Sequence, residues 1–184
     1  DQVVRRADVA FTATSEPSAY ADQWLIDHGV DYRMGKLIVV SLRDYENVVP
    51  GFDKTVARAL DSLGKRYQDA RFLFCILDQD DIVPSQAVID AMELSDRALI
   101  FNPGDDIDAI AGMLVRCYGG LSMRYHCSLI LARSGVPCVG LGYLPKVVSL
   151  YRECGLGNHI LRMDADSDEI FGHLVDLCEG RKKR

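Results

Sequence analysis

Three short stretches of the chain carry side chains able to grip an anion and move a proton. Ser41-Leu42-Arg43-Asp44 follows an apolar run, and Leu121-Ser122-Met123-Arg124-Tyr125-His126 joins a strand-like run to a helix-like one. Gly140-Leu141-Gly142-Tyr143-Leu144-Pro145-Lys146 makes the same kind of junction. A helix start presents N–H groups and a partial positive charge, so it draws phosphate or carboxylate unaided. Arg43 and Arg124 can add planar, two-pronged grips, and Lys146 a compact charge. His126, one turn inside its helix, can shuttle a proton near neutral pH. Each residue also has an ordinary role. A lone Arg serves as a surface salt-bridge partner, a lone His as a packing residue, a lone Lys as solvated surface. Their joint placement sets them apart, and the pattern alone defines an anion-binding α/β domain.

The elements that must hold these turns repeat one unit: apolar run, loop, amphipathic stretch. Strands are expected at 9–11, 37–42, 72–77, 97–101, 119–123, 137–141 and 159–162. Helices are expected at 18–28, 52–67, from Pro84, from Asp105 and Asp106 to about Cys117, and at 124–133, 145–153 and 168–178. Gly29 and Gly155 stand where two of them stop. Strands that are apolar throughout, alternating with helices, predict a doubly wound, mostly parallel sheet covered on both faces. In such a Rossmann-like domain, ligands bind beyond the carboxyl ends of the strands, which is where the three turns fall. No linker divides residues 1–184, so one domain is expected. The order of strands within the sheet is not readable from the pattern. The run Asp78-Gln79-Asp80-Asp81 reads as a helix-capping loop, with a sugar hydroxyl or a metal as the other use.

Composition excludes several classes. The 184 residues, 48% hydrophobic and 26% charged, suit a domain with a buried core. A net charge of -6 argues against binding bare nucleic acid. The basic tail Arg181-Lys182-Lys183-Arg184 reads as a solvated chain end; peripheral contact with an anionic membrane is its other reading. Six cysteines without a CxxC pair offer no zinc site and suit a reducing, cytoplasmic compartment. No apolar run is long enough to span a bilayer. Gly140-Leu141-Gly142 lacks the third glycine of a dinucleotide fingerprint, and there is no phosphate-loop motif.

The stretch from Ser122-Met123-Arg124-Tyr125-His126 through Ser134-Gly135-Val136-Pro137 to Gly142-Tyr143-Leu144-Pro145-Lys146-Val147 resembles the polysaccharide pyruvyl transferase family. Members typically show Arg-Leu-His, a helix ending in Gly-Val-Pro, then a strand and a Tyr-x-Pro-Lys turn. Ser41-Leu42-Arg43 is similar to the family's first strand-end arginine, and Tyr125 stands where Leu is usual. The resemblance implies the C-terminal, donor-binding lobe of a longer, two-lobed GT-B-like protein. It implies phosphoenolpyruvate as donor, held by Arg43, Arg124 and the Tyr125 N–H, with His126 as general acid/base and Lys146 stabilising the departing phosphate. The acceptor would be a sugar or lipid-linked oligosaccharide destined for a cell-surface polymer, and no metal or redox cofactor is called for. A nucleotide-sugar glycosyltransferase shares the fold, and a non-catalytic binding module is a third reading.

Overall fold

Leu37-Ile38-Val39-Val40 buries every side chain, but not on one side. Ile38 and Val40 join one hydrophobic cluster, Leu37 and Val39 another. Alternation of this kind places a strand in the middle of a sheet with apolar cover on both faces. The computed structural model, which describes residues 19–46 and 49–181, shows that arrangement. The expected strand at 9–11 and most of the basic tail lie outside the described residues.

The chain runs α1 (Ala19–Asp27), β1 (Lys36–Ser41), α2 (Phe52–Arg66), β2 (Ala70–Cys75), α3 (Ile82–Ala91), β3 (Ala98–Phe101) and α4 (Ile107–Leu114). It continues through β4 (Gly119–Ser122), α5 (Tyr125–Arg133), β5 (Cys138–Leu141), α6 (Pro145–Glu153), β6 (Ile160–Leu161) and α7 (Ser167–Arg181). The six strands lie in the order β3-β2-β1-β4-β5-β6, and every pairing is parallel. Helices α2, α3 and α7 supply one cluster, through residues such as Leu60, Leu63, Val88, Leu174 and Leu177. Helices α1, α4 and α5 supply the other, through Leu25, Met113, Cys127 and Leu131. Each fully buried aliphatic or aromatic side chain, Phe72 and Leu73 among them, contributes about 1.5–3 kcal/mol.

Close helix-to-sheet approach depends on glycine at the two strands that carry the sequence motifs. A Cβ on Gly120 of β4 would sit 3.1 Å from Leu131 Cδ1 of α5, and one on Gly140 of β5 would sit 2.5 Å from the Tyr151 ring of α6. Helix α5 then stops because Gly135 adopts φ +68°. Its turn is closed by Val136 N–H donating to Leu131 O at 2.9 Å.

Most expected elements appear within two residues of their predicted bounds, two helices end three residues from theirs, and the start of α3 differs in how it is made. Pro84 does not open α3; it is the third residue of a helix beginning at Ile82, because Asp78 starts a 3₁₀ turn over Gln79–Asp81 that runs into it. Helix α4 ends at Leu114 rather than near Cys117, and α7 runs on to Arg181. The cysteines are free: five are buried among apolar side chains and Cys154 is exposed. Among the described residues no helix is long and apolar enough to cross a membrane.

Candidate functional site

The sheet order reverses between β1 and β4, since the chain builds outward from β1 to β3 and then returns to place β4 on the other flank. Crevices at such reversals, beyond the carboxyl ends of the strands, are where doubly wound sheets hold ligands. Ser41 and Ser122 are aligned at that point, and the Met123 N–H donates to Ser41 O at 2.8 Å. The turns bearing Arg43 and Arg124 therefore leave the sheet side by side. The turn bearing Lys146 follows β5, the next strand along.

Arg124 is the N-cap residue of α5, with extended backbone. Its side chain does not stand alone. Asp81, entirely buried, takes the Nε–H with both carboxylate oxygens, at 2.9 and 3.0 Å, and also accepts from Nη2. A second acid, Asp78, stands 3.9 Å from Nη2. The Leu77 N–H gives Asp81 a further hydrogen bond at 3.2 Å. Burial nevertheless pushes the Asp81 carboxyl above its ordinary range, against the opposing pull of Arg124. The acidic run is thus divided. Asp78 does what a capping loop does, accepting from the Asp80 N–H, while Asp81 is the counter-ion of a crevice arginine.

Arg43 is half-buried and donates to the Tyr143 hydroxyl at 3.4 Å, a long contact that joins the β1 turn to the β5 turn. That contact, more than the field of Asp81 and Asp78, holds the guanidinium further toward its charged form. Tyr45 packs edge-on against Tyr143, with ring centroids 5.1 Å apart. A cavity of about 300 Å³ opens beside Arg43, walled by Pro50, Gly51 and Phe52 at the start of α2 and by Pro84 and Val88 of α3.

The remaining expected residues form their own group. Tyr125 is the first residue of α5, a position whose N–H points out of the helix end. Its half-buried ring meets the exposed His126 ring edge-on at 5.5 Å, and the Lys146 ammonium lies over it at 5.7 Å. Lys146 follows the N1 proline of α6 and is exposed. The fold thus brings Arg43, Arg124, Tyr125, His126 and Lys146 to one edge of the sheet, in three adjoining groups. It adds two residues that sequence reasoning left aside, Asp81 and Tyr143. Tyr143 lies inside the Tyr-x-Pro-Lys turn. Asp81 lay in an acidic run directly after a buried strand, which was the available signal. No three His, Cys, Asp or Glu side chains gather as a metal cage among the described residues.

A second cavity, about 480 Å³, opens at the opposite edge of the sheet, lined by Val136, Pro137, Cys138, Leu156 and Leu177. It is mostly apolar and far from the clustered charges, so the chemistry points to the carboxyl edge rather than to this larger space.

A parallel sheet in this order, with charged turns at its reversal, defines a Rossmann-like α/β lobe of the GT-B-like kind. Solved structures of like fold agree. The chain superposes on the UDP-GlcNAc 2-epimerase from Neisseria meningitidis bound to UDP-GlcNAc with a TM-score of 0.67 at 14% identity, covering 90% of this chain and 42% of that one. It superposes on the ADP-heptose lipopolysaccharide heptosyltransferase II of E. coli with a TM-score of 0.68 at 10% identity, covering 91% and 54%. For a family 9 glycosyl transferase from Veillonella parvula the TM-score is 0.62 at 13% identity, covering 96% and 53%. The chain therefore spans 42% to 54% of the length of these structures. No protein-family model matches it, and no curated protein matches it. The resemblance to pyruvyl transferases rests on the motif residues alone.

Proposed function

We propose that the chain is the donor-binding lobe of a two-lobed carbohydrate-modifying transferase, and that its donor is phosphoenolpyruvate. The observation that carries this reading is the convergence of both halves of the sequence motif on the carboxyl edge of adjacent strands. Arg124-Tyr125-His126 follows β4 and Tyr143-Leu144-Pro145-Lys146 follows β5, with Lys146 over the Tyr125 ring. Phosphoenolpyruvate carries a phosphate and a carboxylate close together, which suits separated cations around helix starts.

In this reading Arg43, Arg124 and the Tyr125 N–H hold the two anionic groups. One acceptor hydroxyl adds to C2 of the enol while C3 takes a proton. A second hydroxyl then attacks C2, the C–O bond to phosphate breaks, and the product is a cyclic ketal plus inorganic phosphate. Of the two hydroxyl protons, one balances that gained at C3 and the other leaves with phosphate. His126 relays protons, and Lys146 offsets the charge on the leaving phosphate. The reducing cytoplasm suits both the free thiols and this donor, and an acceptor sugar, free or lipid-linked, would meet the crevice from the other lobe.

The second reading is a nucleotide-sugar glycosyltransferase lobe. The fold comparisons weigh more toward it than toward pyruvyl transfer, because the like structures are an epimerase with UDP-GlcNAc bound and two glycosyl transferases. Thermal unfolding separates the two. A ligand binding only the folded chain at 100 times its Kd adds about 2.7 kcal/mol. A rise in Tm with phosphoenolpyruvate, absent with a nucleotide sugar and lost in Arg124→Ala, supports the first reading. The reverse preference supports the second.

A further inference from the structure

The Asp81–Arg124 pair uses one edge of the guanidinium and spares the other. Asp81 occupies Nε and Nη2. Among the described residues no acceptor takes Nη1. The acid is fully buried, whereas the Arg124 side chain retains 13% of its exposure. A guanidinium is a rigid fork, so fixing one edge fixes the direction of the other. The Leu77 N–H and the 3₁₀ turn over Gln79–Asp81 hold the carboxylate in its turn. The same contact nearly cancels the charge of Arg124, and Asp78 at 3.9 Å adds more negative field. Such a group attracts anions in general only weakly, but offers a directed pair of N–H donors to an anion of the right shape.

We propose that Asp81 is a positioning residue that fixes Arg124 so that its Nη1 edge meets one oxygen of the donor, and thereby sets the crevice's preference for its donor over simple phosphate. This rests on the reading of the crevice as an anionic-donor site. Asp81 touches no ligand atom in this role; it acts through Arg124.

The test is titration calorimetry of the chain with phosphoenolpyruvate and with inorganic phosphate, read as the ratio of the two Kd values. The ratio matters because Asp81→Asn removes a negative charge, which strengthens binding of both anions, and of the more highly charged phosphoenolpyruvate at least as much, so charge loss alone cannot lower the preference for it. Asp81→Asn is expected to cut the preference for phosphoenolpyruvate about tenfold, a coupling of the size found between residues in direct contact. Asp22→Asn, a charge loss of the same kind at the far edge of the sheet, should leave the ratio unchanged. Adding Asp81→Asn to Arg124→Ala should lower the ratio no further. A ratio equal to wild type in Asp81→Asn overturns the proposal and leaves the donor reading standing. If Asp81→Asn does not fold, Arg124→Lys decides: it keeps the charge but lacks the fork, and a preserved preference overturns the proposal. If the wild-type chain binds UDP-GlcNAc and not phosphoenolpyruvate, the donor reading falls, and the same ratio measured with UDP-GlcNAc supports or overturns the role of Asp81. Wild-type chain that binds neither overturns both.

Discussion

Two Asp–Arg pairs stand at opposite edges of the same sheet, and they bury opposite partners. At the amino edge, Arg116 binds Asp22 of α1 through Nε at 2.5 Å and Nη2 at 2.6 Å, donates to the Gly112 carbonyl through Nη1, and lies over the Tyr32 ring. There the cation is hidden at 5% exposure while the acid keeps 38%. At the carboxyl edge the acid, Asp81, is hidden at 0% and the cation keeps 13%. The carboxyls respond accordingly. The hydrogen bond from Arg116 holds Asp22 below its ordinary value, whereas burial lifts Asp81 above it. In the first pair each of the three guanidinium nitrogens donates internally, which fastens α1 to the end of α4. The second leaves a guanidinium edge unspent at the sheet reversal, the place where doubly wound sheets hold ligands. The same chemical partners thus make a fastener in one place and a display in the other, and the deciding variable is which partner faces water.

That contrast can be broken at several points. On the proposed reading, His126→Ala in the full two-lobed protein lowers turnover by about 10²–10⁴-fold with Tm unchanged, since the ring is exposed. A variant with near-wild-type turnover would remove His126 from the chemistry. Asp81→Ala strands the Leu77 N–H and leaves Arg124 without its counter-ion, so a loss of about 3 kcal/mol is expected in denaturant unfolding. Arg116→Ala should cost less, about 2 kcal/mol, because the stranded Asp22 can hydrate; its donor affinity should not change. Titrating stability against pH sharpens the contrast in sign. Asp22 is depressed when folded, so its contribution is present above its ordinary value of 3.8 and is lost as pH falls through the lower folded value. The deficit of Asp22→Asn should therefore shrink in acid. Asp81 is raised when folded, so its contribution is full below the ordinary carboxylate value and is lost as pH rises through the folded one. The deficit of Asp81→Asn should grow in acid, and two profiles bending the same way would refute the comparison. Smallest of all, Tyr143→Phe removes only the long contact to Arg43 and should cost under about 1 kcal/mol of stability.

Much of this architecture was legible in the sequence, for a local reason. Strand and helix periodicity are properties of neighbouring residues, so β1, β2, β4 and β5 and the turns after three of them could be located, and with them Arg43, Arg124, His126 and Lys146. The carboxyl-edge ion pair is of another kind. Asp81 and Arg124 are 43 residues apart and follow strands that are not neighbours in the sheet, with β1 between them. Only the strand order brings their turns together, and apolar periodicity carries no information about order. The local pattern accordingly makes Asp81 part of a capping loop, a role that belongs to Asp78. The misplaced start of α3 has the same origin. Pro84 is a strong local signal for a helix start, but the 3₁₀ turn that seats Asp81 had already begun the winding.

Helix α7 is the last of the described elements, yet it packs against α2, one of the first of them. Leu177 occupies the space over Gly119 at the centre of the sheet, the Tyr118 hydroxyl donates to the Cys178 carbonyl at 3.1 Å, and Arg66 pairs with Glu179 at 2.7 Å. The part of that sheet face over β4 and β5 therefore stays open to water until nearly all of the described sequence has left the ribosome. Closure across more than a hundred residues is slow relative to local helix formation. Until then the sheet is a half-roofed structure whose open strip lies over β4 and β5, with Leu121 and Val139 in it. A nascent chain halted before Ser167 should consequently bind hydrophobic dyes and chaperones, and should lose that binding once α7 is released to dock.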